Sequence, residues 1–123
     1  MRILVCEDQD SIRHMIQTLV SASGHEVEGV ALGAQAVERA LADRFDVILL
    51  DLMLPGALDG FAVIEHLRKN ESTKTVPIVV ISAMDDPESR ARVKELGGTE
   101  FYGKPFRPLE LLSEITRIAK AQG

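Results

Sequence analysis

The sequence predicts an α/β domain, a doubly wound parallel sheet of five strands in the order 2-1-3-4-5 with helices on both faces. Three observations predict it. Short apolar runs alternate with helix-period segments five times along 123 residues, the pattern of repeated βα units with short connections. The central runs are almost free of polar residues, as strands are when both faces of the sheet are covered. Four runs stop at a charge or a hydroxyl: Ile3–Cys6 before Glu7-Asp8, Val47–Leu50 before Asp51, Ile78–Ile81 before Ser82, and Thr99–Gly103 before Lys104-Pro105. In an open parallel sheet the carboxyl ends of the strands share one edge, which is where ligands bind.

Each element follows from its residues. Arg2–Cys6 reads as the first strand. Ile12, Met15, Ile16, Leu19 and Val20 keep the i, i+3, i+4, i+7, i+8 spacing of an amphipathic helix, with Gly24 as its stop. Glu26–Ala31 is more polar and is expected at a sheet edge. Ala36, Val37, Ala40 and Leu41 mark the second helix, and Asp46–Leu50 a central strand. Asp51–Asp59, with Pro55 and Gly56, is a loop. Asp59 is the candidate N-cap of a third helix that starts near Gly60 and buries Phe61, Ile64 and Leu67. Val76–Ser82 is a second central strand, with Pro77 near its start, where a missing donor is tolerated. Asp85–Leu96 has few apolar residues, mainly Val93 and Leu96, so this helix should sit shallowly, ended by Gly97-Gly98. Thr99–Tyr102 is a short last strand. Leu109, Leu112, Ile115 and Ile118 are the expected buried stripe of a fifth helix.

The length suits one domain, taken as residues 1–123, and such a chain buries roughly two thirds of its unfolded surface without disulfides. Hydrophobic residues at 46% and charged ones at 27% exclude a disordered chain. The net charge of −5 argues against nucleic acid as a direct partner, because that binding needs a basic patch. Cys6 is the one cysteine, set in an apolar run, and reads as a buried structural thiol. No signal peptide precedes Ile3 and no apolar stretch approaches the ~20 residues of a membrane span, so a cytoplasmic chain without membrane contact is expected. Neither G-x-G-x-x-G nor the P-loop motif is present. His14, His25 and His66 lack metal-ligand spacing and read as surface residues.

The strand ends carry the chemistry. With the first and third strands adjacent, Glu7, Asp8 and Asp51 crowd one crevice. Two unit charges 4 Å apart repel by roughly 4 kcal/mol at an effective dielectric near 20. Such a cluster is costly unless a cation occupies it or one group is protonated. Carboxylates, carbonyls and water suit a hard cation, and Mg²⁺ characteristically keeps several waters. Taken alone, Glu7-Asp8 also reads as a helix cap or as first-turn charges, and Ser82 as a hydroxyl capping the fourth helix. Lys104 is a point charge suited to a phosphate or carboxylate oxygen, and Pro105 permits a cis bond after it. Ser82 can donate to an oxyanion, with the small Ala83 beside it.

Together these residues resemble the receiver domain of bacterial two-component response regulators, the CheY-like family with its flavodoxin-like fold. The matching pieces are Glu7-Asp8, Asp51 within Ile-Leu-Leu-Asp-Leu-Met-Leu-Pro-Gly, Asp59-Gly60, Ser82-Ala83, and Phe101 followed by Lys104-Pro105-Phe106. The resemblance implies a signalling switch that catalyses only its own phosphorylation and dephosphorylation. Asp51 would accept a phosphoryl group from a sensor histidine kinase or histidine phosphotransfer protein. Asp8, Asp51 and the backbone carbonyl of Met53 would hold Mg²⁺, with Glu7 acting through water. Lys104 and Ser82 would take phosphoryl oxygens, and Phe101 would rotate inward. A downstream effector protein would then read the face of the fourth helix, last strand and fifth helix. Kinase docking is expected on the first helix around Ile12, Arg13 and Ile16, and Tyr102 is expected to face away from Phe101. Met53 and Met84 offer no base beside the acyl phosphate, which implies a long-lived phosphoryl state.

Some details depart from the family. The loop Pro55–Gly60 is one residue longer than the common form. Thr99-Glu100 and Glu114 stand where many DNA-binding relatives carry an acidic pair and an arginine for dimer salt bridges, so that dimer mode is not expected; another homodimer stays open. Two other functions fit less well. A phosphatase of the haloacid dehalogenase type would want a second Asp where Met53 stands. A docking module independent of phosphate would not need the full acid and lysine set.

Overall fold

The computed structural model describes residues 1–122. Its elements run β1 (Arg2–Cys6), α1 (Asp10–Ala22), β2 (Glu26–Val30), α2 (Gly33–Ala42), β3 (Val47–Leu50), α3 (Gly60–Lys69), β4 (Ile78–Ser82), α4 (Pro87–Leu96), β5 (Glu100–Gly103) and α5 (Pro108–Gln122). The strands form one sheet in the order β2-β1-β3-β4-β5, and every pairing is parallel. This is the predicted doubly wound topology, with the switch point between β1 and β3.

Side chains alternate across each strand, and the sheet divides two apolar layers. Leu4, Cys6, Ile48, Leu50, Ile78 and Val80 face α2, α3 and, on α4, the buried Val93 with the half-buried Leu96. Ile3, Val5, Val47, Leu49, Val79 and Ile81 face α1 and α5 through Ile16, Val20, Leu111, Ile115 and Ile118. β3 and β4 are wholly buried, which is why their sequences carry no alternating polar residue. β2 lies at the edge, as its polarity implied, and its Glu28 pairs with Arg39 of α2.

Asp59 caps α3 as the sequence placed it, whereas α4 is capped by Asp86 and not by the Ser82 hydroxyl. Asp59 Oδ1 accepts the Ala62 N–H at 2.9 Å, so α3 starts at Gly60 despite the longer loop before it. Asp86 accepts from the Ser89 N–H and starts α4. Gly97 closes α4 at φ +104°, a left-handed conformation that suits glycine.

Several expectations are corrected. β4 begins at Ile78, not Val76, because the Pro77 carbonyl serves β3 while its nitrogen has no proton to give. Thr99 lies outside β5; its hydroxyl accepts the Ile78 N–H. The buried stripe of α5 is Leu111, Glu114, Ile115 and Ile118, whereas Leu109 is 79% exposed. Leu109 occupies the first turn of the helix, ahead of its buried positions. Met15 and Leu41 are nearly half exposed and flank their helices' buried faces. His25 is half-buried, its Nδ1 3.1 Å from the Met1 amine, and burial holds its pKa below the ordinary value. His14 and His66 are exposed.

Candidate functional site: an acidic cleft at the switch point

Three charged residues of the cleft, Glu7, Asp51 and Lys104, are each the first beyond their strand, and their N–H groups still bond to the neighbouring strand. The Glu7 N–H donates to the Val30 carbonyl, Asp51 to Cys6, and Lys104 to Ser82, each at 3.0 Å. The backbone ladder therefore fixes where these side chains start. Gly60 brings α3 against the same place: a Cβ there would lie 2.3 Å from the Asp51 carbonyl oxygen. Only glycine allows that approach.

The side chains converge. Glu7, Asp8 and Asp51 each offer a carboxylate oxygen, and these atoms lie within 4.8 Å of one another. Lys104 Nζ donates to Asp51 Oδ2 at 2.9 Å and also to Glu7 Oε1. Glu7 Oε2 accepts the Gln9 N–H, and Asp51 Oδ1 accepts the Met53 N–H, both at 3.1 Å. Glu7 and Asp51 are buried; Asp8 is half-exposed. The Lys104-Pro105 bond is cis.

Electrostatics follow from this crowding. Burial pushes the Glu7 carboxyl above its ordinary pKa, although the Lys104 hydrogen bond pulls the other way. For Lys104, burial lowers the pKa, but the hydrogen bonds to Glu7 and Asp51 outweigh it and hold the ammonium above its usual value. Cys6 lies directly beneath, with its thiol pushed up to about 12 by burial and by the carboxylates above it. It is a structural thiol, as expected. The donor set is all oxygen, with no sulfur or imidazole, and fits a hard divalent cation of the Mg²⁺ kind.

The other predicted residues lie around this centre. Ser82 ends β4 fully buried, and its Oγ accepts the Met84 N–H at 3.2 Å. Among the described residues the Ser82 hydroxyl makes no hydrogen bond to the acids or to the Lys104 ammonium. Met53 is 53% exposed at the mouth and Met84 is half-buried. Phe101 and Tyr102 point to opposite faces of β5, Phe101 into the layer of α3 and α4, Tyr102 into that of α1 and α5. The Tyr102 hydroxyl lies 3.4 Å from Glu114 Oε1.

Two arginines have contacts the sequence reading did not give: Arg13, named there only for kinase docking, and Arg90. Arg13 donates to the Glu7 carbonyl at 2.9 Å and to Asp10, bracing the turn that carries the acid pair. Its place one helical turn beyond Asp10 was a usable signal. Arg90 covers the Phe101 ring, its Cζ 4.5 Å from the centroid, and nothing in its sequence neighbourhood marks it.

A doubly wound sheet with three carboxylates and one lysine gathered at its switch point is an α/β domain whose cleft suits a divalent cation and a phosphoryl group. Comparison with known proteins narrows this. The family model described as response regulator receiver domain matches residues 3–116, and the chain belongs to that family. It is 34% identical over 119 residues to the phosphate regulon transcriptional regulatory protein PhoB of Escherichia coli, covering 97% of this chain and 52% of that protein. It is 32% identical over 118 residues to the transcriptional regulatory protein GltR of Pseudomonas aeruginosa, covering 96% and 48%. The chain thus spans about half the length of these curated relatives. Among solved structures, the chemotaxis response regulator CheY4 of Vibrio cholerae superposes with a TM-score of 0.88 at 33% identity, over 95% of this chain and 97% of that one. The receiver domain of the sensor histidine kinase PA1611 from Pseudomonas aeruginosa, with a magnesium ion coordinated in its active site cleft, gives 0.88 at 33% identity, over 96% and 97%. Receiver domains are signalling switches, and the acidic pocket here is compatible with Mg²⁺ and with phosphorylation of an aspartate.

Proposed function

We propose that this domain, taken as the single unit 1–123, is a phosphorylation-dependent switch whose acceptor is Asp51. One observation carries the reading: Asp51 offers one carboxylate oxygen to Lys104 Nζ at 2.9 Å and shares the 4.8 Å cluster with Glu7 and Asp8. An acceptor, a cation site and a phosphoryl-oxygen anchor thus occupy one cleft.

Asp8, Asp51 and the backbone carbonyl of Met53 would hold a Mg²⁺ ion, with Glu7 acting through water. The ion supplies neutralisation of the charge on the transferring group, most of what phosphoryl transfer asks of a protein. The donor is a phosphohistidine of a sensor kinase or phosphotransfer protein. An Asp51 carboxylate oxygen forms a new bond to phosphorus while the phosphorus–nitrogen bond breaks. The electron pair stays on the imidazole nitrogen, which takes up a proton. Lys104 then exchanges its contact with Asp51 for a phosphoryl oxygen, and Ser82 leaves the Met84 N–H to donate to another. Phe101 moves in behind Ser82, changing the α4-β5-α5 face that an effector protein reads. On α1, Ile16 is core, so a kinase meets Met15 and the half-buried Ile12 and Arg13 instead. The protein catalyses no reaction beyond gain and loss of its own phosphoryl group, acts in the cytoplasm, and contacts neither nucleic acid nor membrane through this domain.

The test is intact-mass analysis after incubation with Mg²⁺ and acetyl phosphate. A single labile phosphoryl adduct on the wild type, absent from Asp51→Asn, is expected. Acetyl phosphate turnover without an adduct would indicate a phosphatase. Neither adduct nor turnover would indicate a docking module.

A further inference from the structure

α4 has one fully buried apolar residue, Val93, with Leu96 half-buried beside the same core. Only Ser89 and Val93 of its ten residues are buried. Arginines supply what apolar side chains do not. The Arg92 guanidinium carbon sits 4.1 Å from the centroid of the Phe61 ring on α3, and that of Arg90 sits 4.5 Å from the centroid of Phe101 on β5. Arg90 does more, because its Nε also donates to the Asp85 carbonyl at 3.1 Å. Asp85 lies in the β4–α4 loop three residues after Ser82. Its carboxylate rests on Gly103, where a Cβ would come within 2.5 Å of Oδ2. One exposed side chain therefore ties together the first turn of α4, the loop after Ser82 and the aromatic of β5.

We propose that Arg90 is a positioning residue that latches Phe101 and the β4–α4 loop in the arrangement seen here, and so sets how readily the switch turns. The proposal rests on the switch reading given above. A guanidinium is planar and favours a ring face. It can keep both contacts only while Phe101 stays beneath it and the Asp85 carbonyl points at it. When Phe101 moves inward behind Ser82, the ring face is withdrawn. When the loop follows Ser82, the Asp85 carbonyl leaves as well. Both losses fall on the switched state alone, and a contact made in one of two states biases the pair by its own strength. For an exposed cation over a ring this corresponds to about a two- to five-fold bias. The same geometry explains how movement of a strand aromatic reaches a helix with so little apolar contact of its own: Arg90 is released with the ring and α4 loses its tether to β5.

The test uses the full chain labelled with 4-fluorophenylalanine. It contains four phenylalanines, and the Phe101 line is assigned with Phe101→Leu. Beryllofluoride in Mg²⁺ buffer is titrated into the wild type, Arg90→Gln and Arg90→Lys. Arg90→Gln is expected to move the unliganded Phe101 line toward its beryllofluoride-saturated position and to lower the half-saturating concentration about two- to five-fold. Arg90→Lys, which keeps the charge without the planar face, should fall between the two. In the Phe101→Leu background, Arg90→Gln should leave half-saturation unchanged. A line that shifts while half-saturation stays at the wild-type value would mean a purely local contact and would overturn the proposal. An equal gain in affinity with and without the Phe101 ring would overturn it too. Failure of the wild type to bind beryllofluoride would instead sink the switch reading itself, and the latch with it.

Discussion

Replacing Asp8 with asparagine should make the metal-free domain more stable while removing its response to Mg²⁺. The Asp8 carboxylate lies within 4.8 Å of both Glu7 and Asp51. At an effective dielectric near 20, each such pair repels by about 3.5 kcal/mol. Lys104 donates to Glu7 and Asp51 but not to Asp8, so Asp8 receives the repulsion with the least direct compensation. It is also half-exposed, and solvent screens much of the Coulomb energy. A net gain of about 1–2 kcal/mol for Asp8→Asn remains after that discount. In urea this is a midpoint rise of roughly 0.5–1 M for a domain of this size. Mg²⁺ at a hundred times its dissociation constant should add about 2.7 kcal/mol to the wild type and far less to the variant. Urea unfolding with and without Mg²⁺ gives all four values. A metal-free variant no more stable than wild type, or one still stabilised by Mg²⁺ to the same extent, would refute the reasoning that these acids are held together for a cation.

Other outcomes follow from the same geometry. Because the folded-state pKa of Glu7 is raised, its favourable contribution is complete below its ordinary value of 4.5 and is lost as pH rises through the folded value. Glu7→Gln should therefore flatten the metal-free stability profile above pH 4.5, as read by thermal unfolding across pH; an unchanged slope would contradict this. Met53 and Met84 provide no base at the cleft mouth, so purified phosphoprotein should lose phosphate slowly in Mg²⁺. Met53→Asn or Met84→Glu should shorten its half-life, measured by intact mass over time, and rapid loss unaffected by either change would contradict the shielding argument. On α5, Leu111→Ala should cost about 2–5 kcal/mol because Leu111 is fully buried. Leu109→Ala should stay within about 0.5 kcal/mol. Equal effects of the two in urea would contradict the assigned helix face.

The site was legible because it consists of strand ends. A parallel sheet aligns those ends, so Glu7, Asp51, Ser82 and Lys104 could be grouped from the order of elements alone. The central strands were equally plain, since burial on both faces leaves no polar residue to confuse the pattern. The face of α5 was misread because a buried carboxylate interrupts it. Glu114 occupies a core position, with the Tyr102 hydroxyl 3.4 Å from Oε1 and Arg117 donating to Oε2. An apolar stripe drawn without Glu114 slides back to Leu109. Arg90 was silent for a related reason. A surface arginine looks the same in sequence whether it meets water, a backbone carbonyl or a ring, and only the partner's place in space separates those cases.

Lys104 and Glu7 touch although 97 positions separate them. The cation that offsets the crowded acids is therefore contributed by the residue after the last strand of the domain. A nascent chain that has not yet delivered β5, or a domain whose final strand has come loose, keeps its carboxylates but lacks their counter-charge and the anchor for a phosphoryl oxygen. On the proposed switch role, competence to hold a phosphoryl group would then depend on the finished sheet.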